Sequence, residues 1–380
     1  MLISFFLYYS NAIISLQTPR GAIQRPFPRL IDWRFCFQYN SRGERDMDKK
    51  FRGDAVIKPC PEEIMKPFPE WGWDLVARKW VKNLIIRLRI GQEAETVENL
   101  KKAIESGSPV FIFSNHLSWA DHFLIMNMID EHLKVRVSAL CKEKYYGFPV
   151  FGWVLRKANQ IPITNVKLCF ARWYKQSTGK LPRERDFIEF MNRSGANPYH
   201  EVNVLKRQSL VRTAINTHEM LERKRPVLGY PEGTRSHRGT LQPIKTGIVQ
   251  LPFEFKGLVI PAAIWGTDKI LPKGIKWYNI FKYYGFPGSH TVVKFGQALS
   301  CFELLDRIER KFERIEDVVN LDNTRMLRSL LERNQFRAYT IEAERFERVF
   351  DEASLIIMRR VNEMLPPEYR AEQVEIKYPR

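Results

Sequence analysis

Two short polar blocks carry the residues in this chain that could do chemistry. The first is Ser114-Asn115-His116-Leu117-Ser118-Trp119-Ala120-Asp121, in which a histidine is followed five positions later by a carboxylate. An imidazole held by a carboxylate is a general acid–base pair, with the carboxylate orienting the ring. The second block is Tyr230-Pro231-Glu232-Gly233-Thr234-Arg235-Ser236. There Gly233 permits an unusual turn, Arg235 offers a planar fork for a phosphate, and Glu232 can accept hydrogen bonds. Lys245, in Gln242-Pro243-Ile244-Lys245-Thr246-Gly247, adds a second positive charge just beyond.

Each block follows an apolar run. Pro109 to Phe113 precedes the first and reads as a buried strand, with Phe123 to Ile129 reading as a helix after it. His116 is thus expected at a strand-to-helix junction, where a helix N-terminus exposes N–H groups and its positive dipole end. Pro226 to Tyr230 is the strand that delivers the second block. Loops at the carboxyl ends of strands are where α/β sheets bind ligands.

The remaining elements alternate in the same way. A helix is expected over 95–105, a strand over Val135 to Leu140, a short helix over Val154 to Ala158 and a strand at Ile161-Pro162-Ile163. A helix over 207–222 follows, then strands at Leu258 to Ile260 and Val292 to Phe295. The pattern predicts an α/β fold: a mostly parallel sheet flanked by helices on both faces, with an N-terminal amphipathic helical segment and C-terminal helices.

Residues 1–70, punctuated by Pro26-Phe27-Pro28 and Pro67-Phe68-Pro69, read as an N-terminal extension or linker. Within them, Met1 to Leu16 is apolar but short, the pattern of a weak anchor or an unstructured extension. Over 71–95 a basic amphipathic helix is expected. Val76, Trp80, Val81, Leu84, Ile85 and Leu88 form one face, Arg78, Lys82 and Arg89 another, with Trp71 and Trp73 at the start. Such a helix either lies in a membrane surface or packs on its own domain. Residues 96–300 form the expected core domain, with an irregular insertion at about 167–206, and 301–380 a helical region whose charge runs read as solvated faces.

At 380 residues with 44% hydrophobic content, the chain is long enough for a large core. Its net charge of +18 favours an anionic partner: lipid headgroups, a phosphorylated substrate or nucleic acid. Nucleic acid lacks support from any RRM, KH, zinc-finger or helix-turn-helix pattern, though a basic nucleic-acid-binding protein is the alternative from another class. The five cysteines, Cys36, Cys60, Cys141, Cys169 and Cys301, show no C-x-x-C spacing, so neither a zinc site nor a disulfide framework is expected. The other six histidines show no ligand spacing, so no metal is expected. Ser236 next to His237 lacks a G-x-S-x-G elbow, which argues against a serine hydrolase.

The two blocks together resemble those of the glycerolipid acyltransferases, the family that includes 1-acylglycerol-3-phosphate acyltransferase. Asn115 to Asp121 looks like the family's H-x4-D block, and Tyr230 to Ser236 like its second block, usually written with Phe first. Phe148 to Trp153, Ile260-Pro261 (resembling a strand-ending proline) and the tail Leu365-Pro366-Pro367-Glu368-Tyr369-Arg370 resemble further family segments. The resemblance implies acyl transfer from acyl-CoA or acyl carrier protein to the sn-2 hydroxyl of lysophosphatidate, giving phosphatidate. Another lysophospholipid or glycerol-3-phosphate is the alternative acceptor. His116 would be the general base and Asp121 its orienting partner. Glu232, Gly233, Thr234, Arg235 and Lys245 would bind substrate. No cofactor beyond the thioester donor is implied. The enzyme is expected on the cytoplasmic side of a membrane, with bilayer lipids as partners. One departure stands out. Where family members often carry an Asp-Arg pair after the strand at 161–163, this chain has Thr164-Asn165. Lys167 or Arg207 is the candidate to compensate.

Overall fold

The computed structural model describes residues 91–147, 149–192, 196–236, 239–270, 290–340 and 342–376. All belong to the second of two compact units, which spans Ala55–Arg380. The expected extension over 1–70, most of the amphipathic segment, Phe148 and the His237-Arg238 pair lie outside the described residues.

An eight-stranded sheet organises the unit. Its strands are β1 (Gly91–Glu95), β2 (Val110–Ser114), β3 (Ser138–Lys142), β4 (Ile161–Ile163), β5 (Val227–Gly229), β6 (Leu258–Trp265), β7 (His290–Phe295) and β8 (Leu299–Ser300). Their order is β1-β7-β6-β2-β5-β3-β4, with β8 beside β6. Pairing is parallel except for β7 and β8 against β6. The expected mostly parallel α/β sheet is therefore present.

Helices cover both faces, and the strands show why they read as unbroken apolar runs. Val110 and Ile112 of β2 face one core, with Leu100 of α1 (Val97–Glu105) and Ile125, Met128 and Ile129 of α2 (Asp121–Leu133). Phe111 and Phe113 face the other. That second core contains Leu304, Ile308 and Phe312, and also Val349, Phe350 and Ile357. These belong to two C-terminal helices, so the expected boundary at residue 300 does not divide the core.

Four expectations need correcting. Gly91–Glu95, read as the end of the amphipathic helix, is a strand paired with β7. Helical apolar spacing stops at Leu88, and Gly91 is a poor helix former. The 167–206 segment is not irregular. It holds most of α4 (Val166–Thr178), all of α5 (Glu184–Asn192) and the start of α6 (Ala196–Glu222), α3 being Pro149–Lys157. A small aromatic cluster of Phe170, Phe190 and Val202 with Trp173 and Tyr174 holds them, too narrow a face to show as a steady period. The strand expected at Val135 begins only at Ser138, because Lys134 leaves α2 at φ 58°. Pro261 does not end its strand, because β6 runs on to Trp265. Along one edge of β6, Leu258–Val259 pair with β8 and Ala262–Trp265 with β7, so Pro261 sits between the two ladders, where its missing N–H costs no bond.

The charged C-terminal helices are α7 (Cys301–Arg314), α8 (Val318–Glu332) and α9 (Glu347–Met364). A capping box at Ser300 and Glu303 starts α7. Among the described residues no helix is long and apolar enough to cross a membrane.

Candidate active site

The site lies where β2 and β5 end. Asn115, fully buried, pins the first turn after β2: its Nδ2 donates to Ile264 O and its Oδ1 accepts from Ile264 N, each at 2.8 Å. The next residues wrap around one carboxylate oxygen. Asp121 Oδ2 lies 2.7 Å from His116 Nδ1 and accepts from Leu117 N at 2.6 Å and Ser118 N at 2.8 Å. The Asp121 carboxyl is fully buried at the first turn of α2, where the helix end favours negative charge. Because Oδ2 can only accept, the match is best when Nδ1 carries the proton. Nε2 then has a free lone pair to take a proton from a substrate. The His116 side chain is 19% exposed, enough for a ligand to reach it.

The second block folds against the first. Glu232 Oε1 accepts from His116 N at 2.5 Å, and its Oε2 accepts from Gln242 N at 2.8 Å. Ser236 N donates to His116 O at 2.7 Å. Glu232 is 0% exposed, so the substrate contact expected of it is not what its position allows. Its two oxygens brace the His116 turn to the loop leading to Lys245. Gly233 has φ 61°, and an added Cβ would come 3.1 Å from Lys245 Cδ. The positive φ favours glycine at this turn, and a side chain there would press on Lys245. Thr234 is half-buried in the same loop. Lys245 N donates to Pro231 O at 2.7 Å, and the tail closes from behind, with Leu241 N donating to Tyr369 O and Ile244 N to Glu375 O.

Arg235 stands over the first block. Its Cζ is 4.6 Å from the Trp119 ring centroid, a cation–π stack. Tyr145 meets Trp119 edge-on at 4.7 Å, and Lys144 Nζ lies 5.0 Å from the Tyr145 centroid. Burial, then the neighbouring cations Arg235 and Lys167, lower the Lys144 pKa; burial also lowers that of Arg235. Two cations crowded in this way are stabilised by a bound anion.

The structure brings together His116, Asp121, Gly233, Arg235 and Lys245, and sets Trp119, Lys144, Tyr145 and Tyr230 beside them. Trp119 lies inside the first block, and Lys144 and Tyr145 just past β3, so the places were visible while the contacts were not. Neither candidate for the missing Asp-Arg pair stands free: Lys167 is ion-paired to Glu184 and Arg207 to Glu344. Thr164 Oγ1 donates to Glu143, and Asn165 caps α4 by accepting from Leu168 N. Cys141, Cys169 and Cys301 are buried, and burial pushes the Cys141 thiol up to about 12, which leaves it inert.

Residues 93–265 match the family model described as Acyltransferase. The chain is 22% identical over 178 residues to the chloroplastic 1-acyl-sn-glycerol-3-phosphate acyltransferase BAT2 of Brassica napus, covering 47% of this chain and 39% of that protein. It is 23% identical over 178 residues to the chloroplastic 1-acyl-sn-glycerol-3-phosphate acyltransferase LPAT1 of Arabidopsis thaliana, covering 47% and 38%. The match thus spans about two fifths of the length of these curated relatives. Among solved structures, the 1-acyl-sn-glycerophosphate acyltransferase PlsC of Thermotoga maritima is 20% identical with a TM-score of 0.39, covering 67% of this chain and 79% of that one. Residues 93–265, the stretch that matches the Acyltransferase family model, carry both polar blocks at the ends of the neighbouring strands β2 and β5.

Proposed function

We propose that this chain transfers an acyl group from acyl-CoA or acyl carrier protein to the sn-2 hydroxyl of lysophosphatidate, forming phosphatidate at a membrane surface. The observation that carries this reading is the His116–Asp121 contact of 2.7 Å, set beside a loop that presents Arg235 and Lys245. In the proposed reaction the acceptor's phosphate sits against Arg235, which places its hydroxyl near His116 Nε2. As the hydroxyl oxygen attacks the thioester carbonyl, Nε2 takes its proton, and Asp121 stabilises the imidazolium that forms. Collapse of the tetrahedral intermediate expels the thiolate, which takes the proton back from Nε2. No acyl-enzyme forms, and the thioester donor is the one co-reactant.

Arg235 over Trp119 and Lys144 over Tyr145 offer positive charge suited to a phosphate monoester, which supports lysophosphatidate over a zwitterionic lysophospholipid. The names of the two plant relatives point to the same acceptor. Membrane association rests on the chain's +18 charge and the basic amphipathic pattern over residues 71–90. The test is an acceptor panel with one acyl-CoA: lysophosphatidate, glycerol-3-phosphate and lysophosphatidylcholine. Lysophosphatidate is expected to give the highest kcat/KM; a preference for lysophosphatidylcholine would overturn the assignment.

A further inference from the structure

A buried carboxylate stands between two lysines at the end of β3. Glu143 follows Lys142 and precedes Lys144, and it is 0% exposed. Its Oε1 accepts from Arg172 Nη2 at 2.6 Å, and its Oε2 accepts from Thr164 Oγ1 at 2.5 Å. Arg172 is itself only 8% exposed, and its Nη1 reaches Ser209 Oγ at 3.4 Å. Glu143 thereby ties together the end of β3, the residue after β4 and helix α4, and Arg172 extends the link to α6.

Stability is a weak account of this cluster. Desolvating a carboxylate and a guanidinium costs several kcal/mol per ion, and apolar packing of the same volume often does as well or better. What an ion pair with directed hydrogen bonds provides is a fixed position. The position fixed here belongs to the corner that carries Lys144 and Tyr145. From that corner the contacts run outward without a gap: Lys144 over Tyr145, Tyr145 against Trp119, and Trp119 beneath Arg235.

We propose that Arg172 is a positioning residue for the anion pocket. Acting through Glu143, it sets Lys144 and Tyr145 opposite Arg235 and so controls affinity for the phosphate monoester of the acceptor. This rests on reading the Arg235 loop as the acceptor's phosphate site. Arg172 touches no substrate. Thr164, the residue after β4, holds the second oxygen of the same carboxylate.

A double-mutant cycle on the full chain tests this, read as the dissociation constant of a short-chain lysophosphatidate measured by calorimetry without acyl donor. Arg172→Gln and Lys144→Gln should each weaken binding about tenfold. The double variant should bind within about twofold of Lys144→Gln alone, because the two substitutions remove one shared effect. At saturating acceptor, kcat of Arg172→Gln should stay within about threefold of wild type, since His116 and Asp121 are untouched. Unchanged binding in Arg172→Gln, equal weakening in both backgrounds, or a loss confined to kcat would each overturn the proposal. Should Arg172→Gln fail to fold, Arg172→Lys, which keeps the charge but loses the fork, decides the same cycle. A wild-type chain that binds no lysophosphatidate removes the phosphate pocket and this inference with it. One that binds but acylates no acceptor overturns acyl transfer alone, and the binding cycle still decides on Arg172.

Discussion

The ring of Tyr230 lies face to face on that of His116, with centroids 4.2 Å apart and planes inclined by 19°. The last residue before the second block's Pro-Glu-Gly turn thus fixes the plane of the base in the first. Asp121 holds one edge of the imidazole and Tyr230 one face.

The stack separates two roles of Tyr230. Its hydroxyl is buried with no hydrogen-bond partner among the described residues, and burial raises its pKa well above the ordinary value. Tyr230→Phe keeps the ring and removes the unsatisfied group. It should leave kcat near wild type and stabilise the fold by about 1 kcal/mol. Tyr230→Ala removes the ring contact, and with the imidazole less constrained kcat should fall about tenfold. Steady-state rates and thermal unfolding of the two variants check this pair.

His116→Ala should abolish acyl transfer while the thermal transition is retained. Asp121→Asn should keep an oxygen for the Leu117 and Ser118 N–H groups and for His116 Nδ1, which share Oδ2, but remove the charge that stabilises the imidazolium. The expected loss in kcat is roughly 10²-fold or more at nearly unchanged stability. Asp121→Ala strands the donors that share Oδ2 and should in addition cost about 3 kcal/mol. Equal stability of the Asn and Ala variants would show that the carboxylate does not organise this turn.

Arg235 and Glu232 sit three residues apart in one loop and should behave differently. Arg235→Ala should mainly raise the acceptor KM, by about tenfold or more, because it removes the charge proposed to hold the acceptor's phosphate. Glu232→Gln sets an amide N–H₂ against one of two backbone donors, His116 N or Gln242 N. It should cost about 1–3 kcal/mol and lower kcat as well, because the brace holds the base. An Arg235→Ala variant with unchanged KM would remove Arg235 from the phosphate site.

His122, next to Asp121 and 8% exposed, has its pKa lowered to about 4, first by burial and then by the nearby His116. Unfolded, it titrates near 6.5. Between those values the unfolded chain binds a proton that the folded chain refuses, so stability falls as pH drops from 6.5 through 4. The full span is worth about 3 kcal/mol. His122→Asn should flatten the loss of unfolding free energy over that window by a comparable amount. An unaltered pH profile would show that His122 is not the group responsible.

The residues alone determined the chemistry and the class of fold. His116 and Asp121 are five positions apart, and a pair that local is legible from the chain. Strands buried on both faces show as continuous apolar runs, and helices between them imply parallel pairing. The loop with Gly233 and Arg235 was legible for the same reason, since its glycine and its charge are both intrinsic to the residues.

Only the tertiary structure decided how these parts are held. Glu232 looks like a ligand-binding carboxylate until its oxygens are seen filled by the backbone N–H of His116, 116 positions away, and of Gln242. Backbone donors are present at almost every residue, so nothing in the sequence marks which two will meet a given carboxylate. The same holds for the run from Lys144 through Tyr145 and Trp119 to Arg235, for Arg172 on Glu143, and for the C-terminal helices that share the core of Phe111 and Phe113. Apart from the neighbours Lys144 and Tyr145, each joins residues distant along the chain, and the distance is closed by the burial of apolar surface around the sheet rather than by any local preference of the residues that meet.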